Sequence, residues 1–449
     1  MVSESTPPRR PVLTLDELAR PLTRRPERLY ALTAAELAIA FSQGLDLGEG
    51  KDVGHAQRVC YIATALADAL ALDPAKRAGV FFAGLFHDAG VTQAGAELCR
   101  IAGVDESSIF GPSPLRARDE DRTDLVFADR TAIQEAIERH PSLGADVVRA
   151  LELPDEAAVA VAAHHEHWDG SGYPEQLAGE AIPIEGRIVA VADVAETLIA
   201  EQFSSLVARR HFHSSITAFS GTQLDARIVT ILLDLAKSDE FWLGLYSEDL
   251  PATLTALRSM GDGRKSRKRV LRFAEVFADL SDAKGDHTAG HSRRTAAQAE
   301  RLAEAVGFDA GHIEMLRIGA LLHNVGLLGV PARVMSKPDI LSVTEMQLMR
   351  QHPANSEIIL QELSGFEEVS AWIARHHERP DGKGYPEMLA GDDIPTESRI
   401  LAIADVYDAL TSDRPHRGAM SPKDAKQILL GAAGTQLDPE LVRTFCQLI

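Results

Sequence analysis

The sequence predicts an all-α protein built from two copies of one helical unit, and three observations predict it. Apolar residues recur at helical spacing along most of the chain, while the alternation expected of strands is weak throughout. One unusual phrase is written twice, His164-His165-Glu166-His167-Trp168-Asp169-Gly170-Ser171-Gly172-Tyr173-Pro174 and His376-His377-Glu378-Arg379-Pro380-Asp381-Gly382-Lys383-Gly384-Tyr385-Pro386. Aligning the halves on that phrase brings further histidines and aspartates into register. His55 to His87 and His291 to His323 both span 32 residues, His140 to His164 and His352 to His376 both span 24, and His165 to Asp193 and His377 to Asp405 both span 28. A duplicated domain is the simplest source of such a repeat, and the duplication predicts halves packed as a pseudo-dimer.

Taken in order, residues 1–27 read as a flexible tail, with Pro7, Pro8, Pro11 and Pro21 among several arginines. The first copy occupies 28–235. After His55, the residues Val59, Ile62, Ala63, Leu66, Ala69 and Leu70 trace one apolar helical face. Between the second and third histidines the first copy has 53 residues and the second 29, so the first carries an insertion of 24 somewhere within about 92–130, read as a surface excursion. The Ala-rich run 156–163 leads straight into His164-His165, which places the pair at a helix end before a Gly/Pro turn. The apolar helix expected over 187–199 carries Asp193 inside its hydrophobic stripe, and a buried carboxylate needs a partner, a cation being the obvious one. Residues 236–285 read as a linker whose basic patch, Arg264 to Arg269, is a solvated helix start or connection. The second copy, 286–449, repeats the pattern through Leu302, Ala303 and Val306, the run 370–375 before His376-His377, and the helix 399–410 around Asp405. The tails agree too, Gly221-Thr222-Gln223-Leu224-Asp225 echoing Gly434-Thr435-Gln436-Leu437-Asp438.

Composition narrows the class. At 449 residues the chain is long enough for two to three domains of about 150 residues with sizeable cores. A formal charge of −20 argues against nucleic acid as the main partner, because phosphate contacts need a basic face. The 3 cysteines, Cys60, Cys99 and Cys446, form no CxxC pair, which fits a reducing compartment and excludes thiolate metal sites. No apolar run reaches the roughly 18 residues of a membrane span, and the expected location is the cytoplasm.

The chemistry lies in the shared columns, which hold 10 of the 16 histidines. In the first copy His55, His87, Asp88, His140, His164, His165 and Asp193 supply more ligands than one zinc ion takes, so two metals are inferred. Asp88 could bridge two ions a few ångströms apart while His87 binds one of them, and a water held between such ions ionises near neutral pH. Imidazole and carboxylate ligands without thiolates favour iron, manganese or similar ions. Such a site suits phosphate ester hydrolysis, with His87 and Asp88 at its catalytic centre.

The order His, His-Asp, His-Pro, His-His, Asp-Gly-x-Gly-Tyr-Pro, Asp resembles the HD-GYP family of the HD phosphohydrolase superfamily, here in tandem over roughly 50–235 and 285–449. The resemblance implies an all-helical fold, a di-iron or di-manganese site, and phosphodiesterase activity on cyclic di-GMP or a related cyclic dinucleotide. It assigns His55, His87, Asp88 and Asp193 to one ion and His140, His164 and His165 to the other, with Asp88 bridging. In the second copy His291, His323, Asp405, His352, His376 and His377 take the same columns. It further implies contact between the Gly-Tyr-Pro loops and diguanylate cyclase domains.

The chain departs from the family pattern at several positions. His323-Asn324 replaces His-Asp, so the second copy lacks its bridging carboxylate and is expected to hold one metal or none. The lysine that the family places three residues after the bridging aspartate is Val91 in the first copy and Leu327 in the second. The family's third-metal glutamate, four residues before the first histidine, is Lys51 in the first copy, so a third ion is not expected there. The second copy keeps Arg414 and Arg417, candidate substrate contacts with a surface salt-bridge role as the alternative, and the first has Glu201-Gln202-Phe203 where Asp413-Arg414-Pro415 would align. Two readings follow: a cyclic dinucleotide phosphodiesterase with its dinuclear site in the first copy, or a degenerate nucleotide-binding or scaffold module. The Asp169 to Pro174 turn is read as orienting the histidines rather than reacting.

Overall fold

The computed structural model describes residues 30–102, 130–202, 205–258, 266–285, 287–413 and 417–449. Among the described residues the fold is helical, with two isolated bridges, Ser220 to Leu224 and Ala433 to Leu437, and no sheet. No described helix is long and apolar enough to cross a membrane. The expected tail, 1–27, and residues 103–129 of the region 92–130 expected to hold the insertion lie outside the described residues, whereas 92–102 belong to the helix Val91–Ala102, with Ala94 and Leu98 buried rather than on the surface.

The first copy comprises α1 (Ala34–Glu49), α2 (His55–Ala69), α3 (Pro74–Phe86), α4 (Val91–Ala102), α5 (Arg130–Ala150), α6 (Asp155–Ala163), α7 (Ile184–Ala200), α8 (Ser205–Thr217) and α9 (Ala226–Leu235). The expected linker is itself helical: α10 (Asp239–Leu245), α11 (Leu250–Arg258) and α12 (Arg267–Ala283). The second copy continues with α13 (His291–Val306), α14 (Ala310–Leu322), α15 (Ala332–Met335), α16 (Val343–Arg350), α17 (His352–Leu360), α18 (Glu367–Ala374), α19 (Thr396–Thr411), α20 (Pro422–Ala432) and α21 (Pro439–Leu448).

Much of the expected linker packs as core, and its physical reason is α12. Val270, Phe273, Ala274, Phe277 and Ala278 recur at helical spacing and are all buried, so the segment belongs to a core rather than to solvent. The basic patch at its start is partly spent on the first copy, where Lys268 Nζ donates to Glu152 at 3.0 Å and Arg272 Nη2 to the same carboxylate at 3.3 Å. Exposed pairs of this kind contribute about 0–1 kcal/mol, so packing holds the copies together.

Helix α1 explains that packing. Thr33 and Glu36 close a capping box at its start, and Gly50 at φ 73° ends it. Between these caps nearly every residue is buried, which an amphipathic surface helix does not show. One side of α1 packs on α2, α3 and α11, and another on α12, α17 and the Val325–Gly329 turn of the second copy. Phe41 stacks on Phe277 with ring centroids 4.3 Å apart, and the offset that takes His55 to His291 also takes Phe41 to Phe277. Equivalent residues therefore meet face to face. One apolar core runs through both copies, and a second lies between α2, α7, α8, α9 and α10.

Candidate metal centre

Most of the shared histidines sit where a helix begins or ends, so that short turns aim them inward, while His140, Asp193 and Asp405 project from helix interiors. Asp46 on α1 accepts the Gly54 N–H at 2.7 Å and the Ala56 N–H at 3.0 Å, fixing the turn that delivers His55 to the first residue of α2. Asp282 on α12 holds the Ser292 N–H in the same way for His291, at 2.9 Å. His87 caps α3, His140 lies within α5 ahead of Pro141, His164 caps α6, and Asp193 projects from α7. Gly90 lets the His87-Asp88 turn lie against α5, since a Cβ there would fall 2.0 Å from the His140 carbonyl oxygen.

These turns bring all seven first-copy residues together around Asp88. His55, His87 and Asp88 form one group, and Asp88, His140, His164 and His165 another, each with ligand atoms within 4.8 Å of one another. Asp88 belongs to both. Its Oδ2 lies 3.3 Å from His87 Nε2, while its Oδ1 lies 3.4 Å from His140 Nε2 and 3.5 Å from His164 Nε2. Asp193 Oδ1 completes the first group at 3.6 Å from His87 Nε2 and 3.7 Å from His55 Nε2.

The rings are preset as ligands. His87, His140 and His164 each place Nδ1 against the carbonyl oxygen one turn back, at 3.1, 2.6 and 2.6 Å, where only an N–H can sit. In the neutral ring that leaves Nε2 as the lone-pair nitrogen, and His164 Nε2 is buried without a hydrogen bond; against burial, Asp88 and Asp193 lift the His87 ring well above the usual range, so a metal ion there would displace a proton. Burial, then its histidine neighbours, holds the His165 ring well below the usual range, so it is neutral at pH 7. Burial alone would push Asp88 up, but Lys51 and His87, with the His140 and His164 rings close by, hold its carboxyl well below the usual range. Unpartnered buried nitrogens facing ionised carboxylates are what divalent cations of mixed nitrogen and oxygen preference require, and the donor set fits them.

The second copy repeats the arrangement without the bridge. His291, His323 and Asp405 form one group and His352, His376 and His377 another, and no residue is common to both. Asn324 stands where the shared carboxylate would be, as its sequence position implied. His323 Nε2 is buried without a hydrogen bond. Burial and neighbouring histidines push His323 and His376 down to about 4 and His352 to about 3, whereas hydrogen bonds to Asp405 and Asp408 outweigh burial and lift His291 to about 9.

Two positioning pairs escaped the reading of the sequence. Glu196 Oε2 accepts from His55 Nδ1 at 2.5 Å and its Oε1 from Arg58 Nε at 2.6 Å. Asp408 does the same for His291 Nδ1 at 2.7 Å and Arg294 Nε at 2.6 Å. The signal was present: an acid three residues after the aspartate ligand and an arginine three after the first histidine, in both copies. Within the repeated phrase, Glu166 accepts the N–H groups of Glu175 and Leu177 at 2.7 and 2.8 Å, closing the Gly-Tyr-Pro loop, and Tyr173 packs on the His165 ring at 4.9 Å. The loop thus holds His165, as read from its glycines. Arg417 donates to the carbonyls of Leu410 and Ala409 at 3.0 and 2.7 Å, capping α19, while Arg414 lies outside the described residues. His312, outside the shared columns, is buried against Phe308 and bonded to Glu397.

A family model described as HD domain matches residues 105–216 and 275–441. The 3'3'-cGAMP-specific phosphodiesterase 3 of Vibrio cholerae is 30% identical over 434 residues, spanning 90% of this chain and 92% of that one. The chain belongs to the HD domain family. A crystal structure of a cyclic GMP-AMP specific phosphodiesterase of V. cholerae superposes with a TM-score of 0.66 at 29% identity, covering 92% of this chain and 97% of that chain, so the all-helical fold is shared. A cyclic di-GMP phosphodiesterase response regulator of Xanthomonas campestris is 38% identical over 157 residues, 34% of this chain and 42% of its own length.

Proposed function

We propose that this HD domain protein is a metal-dependent phosphodiesterase of cyclic dinucleotides whose dinuclear site lies in the first copy. The observation that carries the reading is Asp88, which turns one carboxylate oxygen toward each of two histidine groups. His55, His87, Asp193 and Asp88 Oδ2 would hold one ion, and His140, His164, His165 and Asp88 Oδ1 the other, iron or manganese in each case. A pair of divalent ions supplies an activated water and charge compensation at the attacking and leaving oxygens. The protein's own part is positional. Glu196 orients the His55 ring, the Gly-Tyr-Pro loop fixes His165, and a cleft of about 280 Å³ lined by Lys51, Arg58, Ile137, Tyr173 and Thr197 admits the phosphodiester.

Relatives that span both copies are named for 3'3'-cGAMP, whereas a cyclic di-GMP enzyme matches about a third of the chain, which makes 3'3'-cGAMP the first substrate to test. The second copy, lacking the shared carboxylate, serves as a non-catalytic partner that holds one ion or none. Metal analysis of anaerobically purified wild type and Asp88→Ala, each assayed against 3'3'-cGAMP and cyclic di-GMP, tests both statements. Two ions of iron or manganese in the first copy with turnover lost in the variant are expected. Turnover surviving in Asp88→Ala would sink the assignment.

A further inference from the structure

We propose that Lys51, held in place by Glu49, is the cation that contacts the scissile phosphate in the first copy; this rests on the phosphodiesterase reading above. The position three residues after Asp88 is Val91, and its side chain is fully buried, so no cation reaches the cleft from there. The structure supplies one from another element. Lys51 follows the end of α1, and its Nζ lies 2.7 Å from Asp88 Oδ2, 3.0 Å from His55 Nε2 and 2.9 Å from Glu49 Oε2. It lines the same cleft as Asp88, Asp193 and Tyr173.

Charge decides what this ammonium does when the site is loaded. Divalent ions drawn to Asp88 and Asp193 repel a neighbouring ammonium, and an unanchored lysine would swing to water. Glu49 opposes that: its side chain is 3% exposed and its Oε2 lies 2.9 Å from Lys51 Nζ, so the ammonium has a buried carboxyl partner outside both histidine groups. A cation so retained at the edge of a dinuclear centre has one anion left to meet, the phosphodiester that enters the cleft.

Two comparisons within the molecule single out this pair. Arg58 also lines the cleft, but its guanidinium is bound to Glu196, and Arg294 with Asp408 repeats that pair in the second copy, marking it as scaffold. By contrast, the equivalents of Glu49 and Lys51 in the second copy are Gly285 and His287. The carboxylate–ammonium pair thus accompanies the bridged aspartate and is missing where Asn324 has replaced it.

The test uses the full chain loaded with Mn²⁺ and inorganic phosphate as the probe, with Lys51→Met and Lys51→Arg compared. Lys51→Met should keep the wild-type metal content and lose about tenfold or more in phosphate affinity. Lys51→Arg should recover most of it. With 3'3'-cGAMP as substrate, Lys51→Met should lose on the order of 100-fold in kcat. Wild-type phosphate affinity in Lys51→Met overturns the proposal, and so does loss of metal in that variant, which would make Lys51 a strut of the ion site. Phosphate binding is read without turnover. A wild type that binds phosphate through Lys51 yet hydrolyses no cyclic dinucleotide would therefore overturn the substrate reading while supporting the role of Lys51.

Discussion

Substituting alanine at Gly90 tests whether backbone contact builds the two-ion geometry. The added Cβ would lie 2.0 Å from the His140 carbonyl oxygen and 2.6 Å from the Gly144 nitrogen, both backbone atoms of α5, whereas real Cβ contacts essentially never fall under 3.0 Å. Helix α5 must therefore retreat from the His87-Asp88 turn by about 1 Å or more. His140 rides on α5 and Asp88 lies two residues from Gly90, so the retreat opens the 3.4 Å gap between His140 Nε2 and Asp88 Oδ1 while His164, on another helix, stays. Overpacking of this kind costs about 1–3 kcal/mol, and a displacement near 1 Å at reacting groups costs on the order of 100-fold in rate. Gly326→Ala is the internal control. Its Cβ would meet the His352 carbonyl oxygen at 2.0 Å, but no shared carboxylate is present there to be displaced. Both variants should show lower urea midpoints, and Gly90→Ala alone should lose bound metal and turnover. A Gly90→Ala protein with wild-type metal and activity would refute the geometric argument, and Gly326→Ala without activity would refute the assignment of chemistry to the first copy.

Glu196→Gln removes the charged acceptor of His55 Nδ1, and metal affinity at the first ion should fall about 10- to 100-fold by titration calorimetry, with the fold intact by circular dichroism. Phe41→Ala and Phe277→Ala should each cost about 3–5 kcal/mol in chemical unfolding; because the rings stack on each other, the double variant should cost less than the sum, and strict additivity would mean the rings do not meet. Chelator-treated protein should be acid-labile. The unfolded chain protonates its histidines near pH 6.5, whereas folded His323, His352 and His376 wait until about 4, 3 and 4. The unfolded state then binds more protons, so the contribution of these three rings is full above about pH 6.5 and falls as pH drops toward 4, by about 3 kcal/mol for such a ring. A flat urea midpoint between pH 7 and 4.5 would contradict this.

Much of the site was legible in the chain because duplication repeats spacing. His55, His87, His140, His164, His165 and Asp193 were each marked by a counterpart at the same interval, and all of them meet around Asp88. The helical class followed from periodicity, and the missing bridge of the second copy from one residue, Asn324. These are properties of order along the chain, which sequence carries directly.

What the tertiary structure decided were relations between residues far apart in sequence. The segment 236–285 reads as a linker because its basic start hides the apolar face of α12, and only the burial of Phe273 and Phe277 against α1 makes it core. Arg417 looks like a phosphate ligand by type, yet carbonyls at the end of α19 take its donors. Lys51 reads as the loss of an acidic ligand until folding sets its ammonium 2.7 Å from Asp88. Sequence specifies which groups are present and at what interval; which charge neutralises which depends on distance in space, and distance is set by packing.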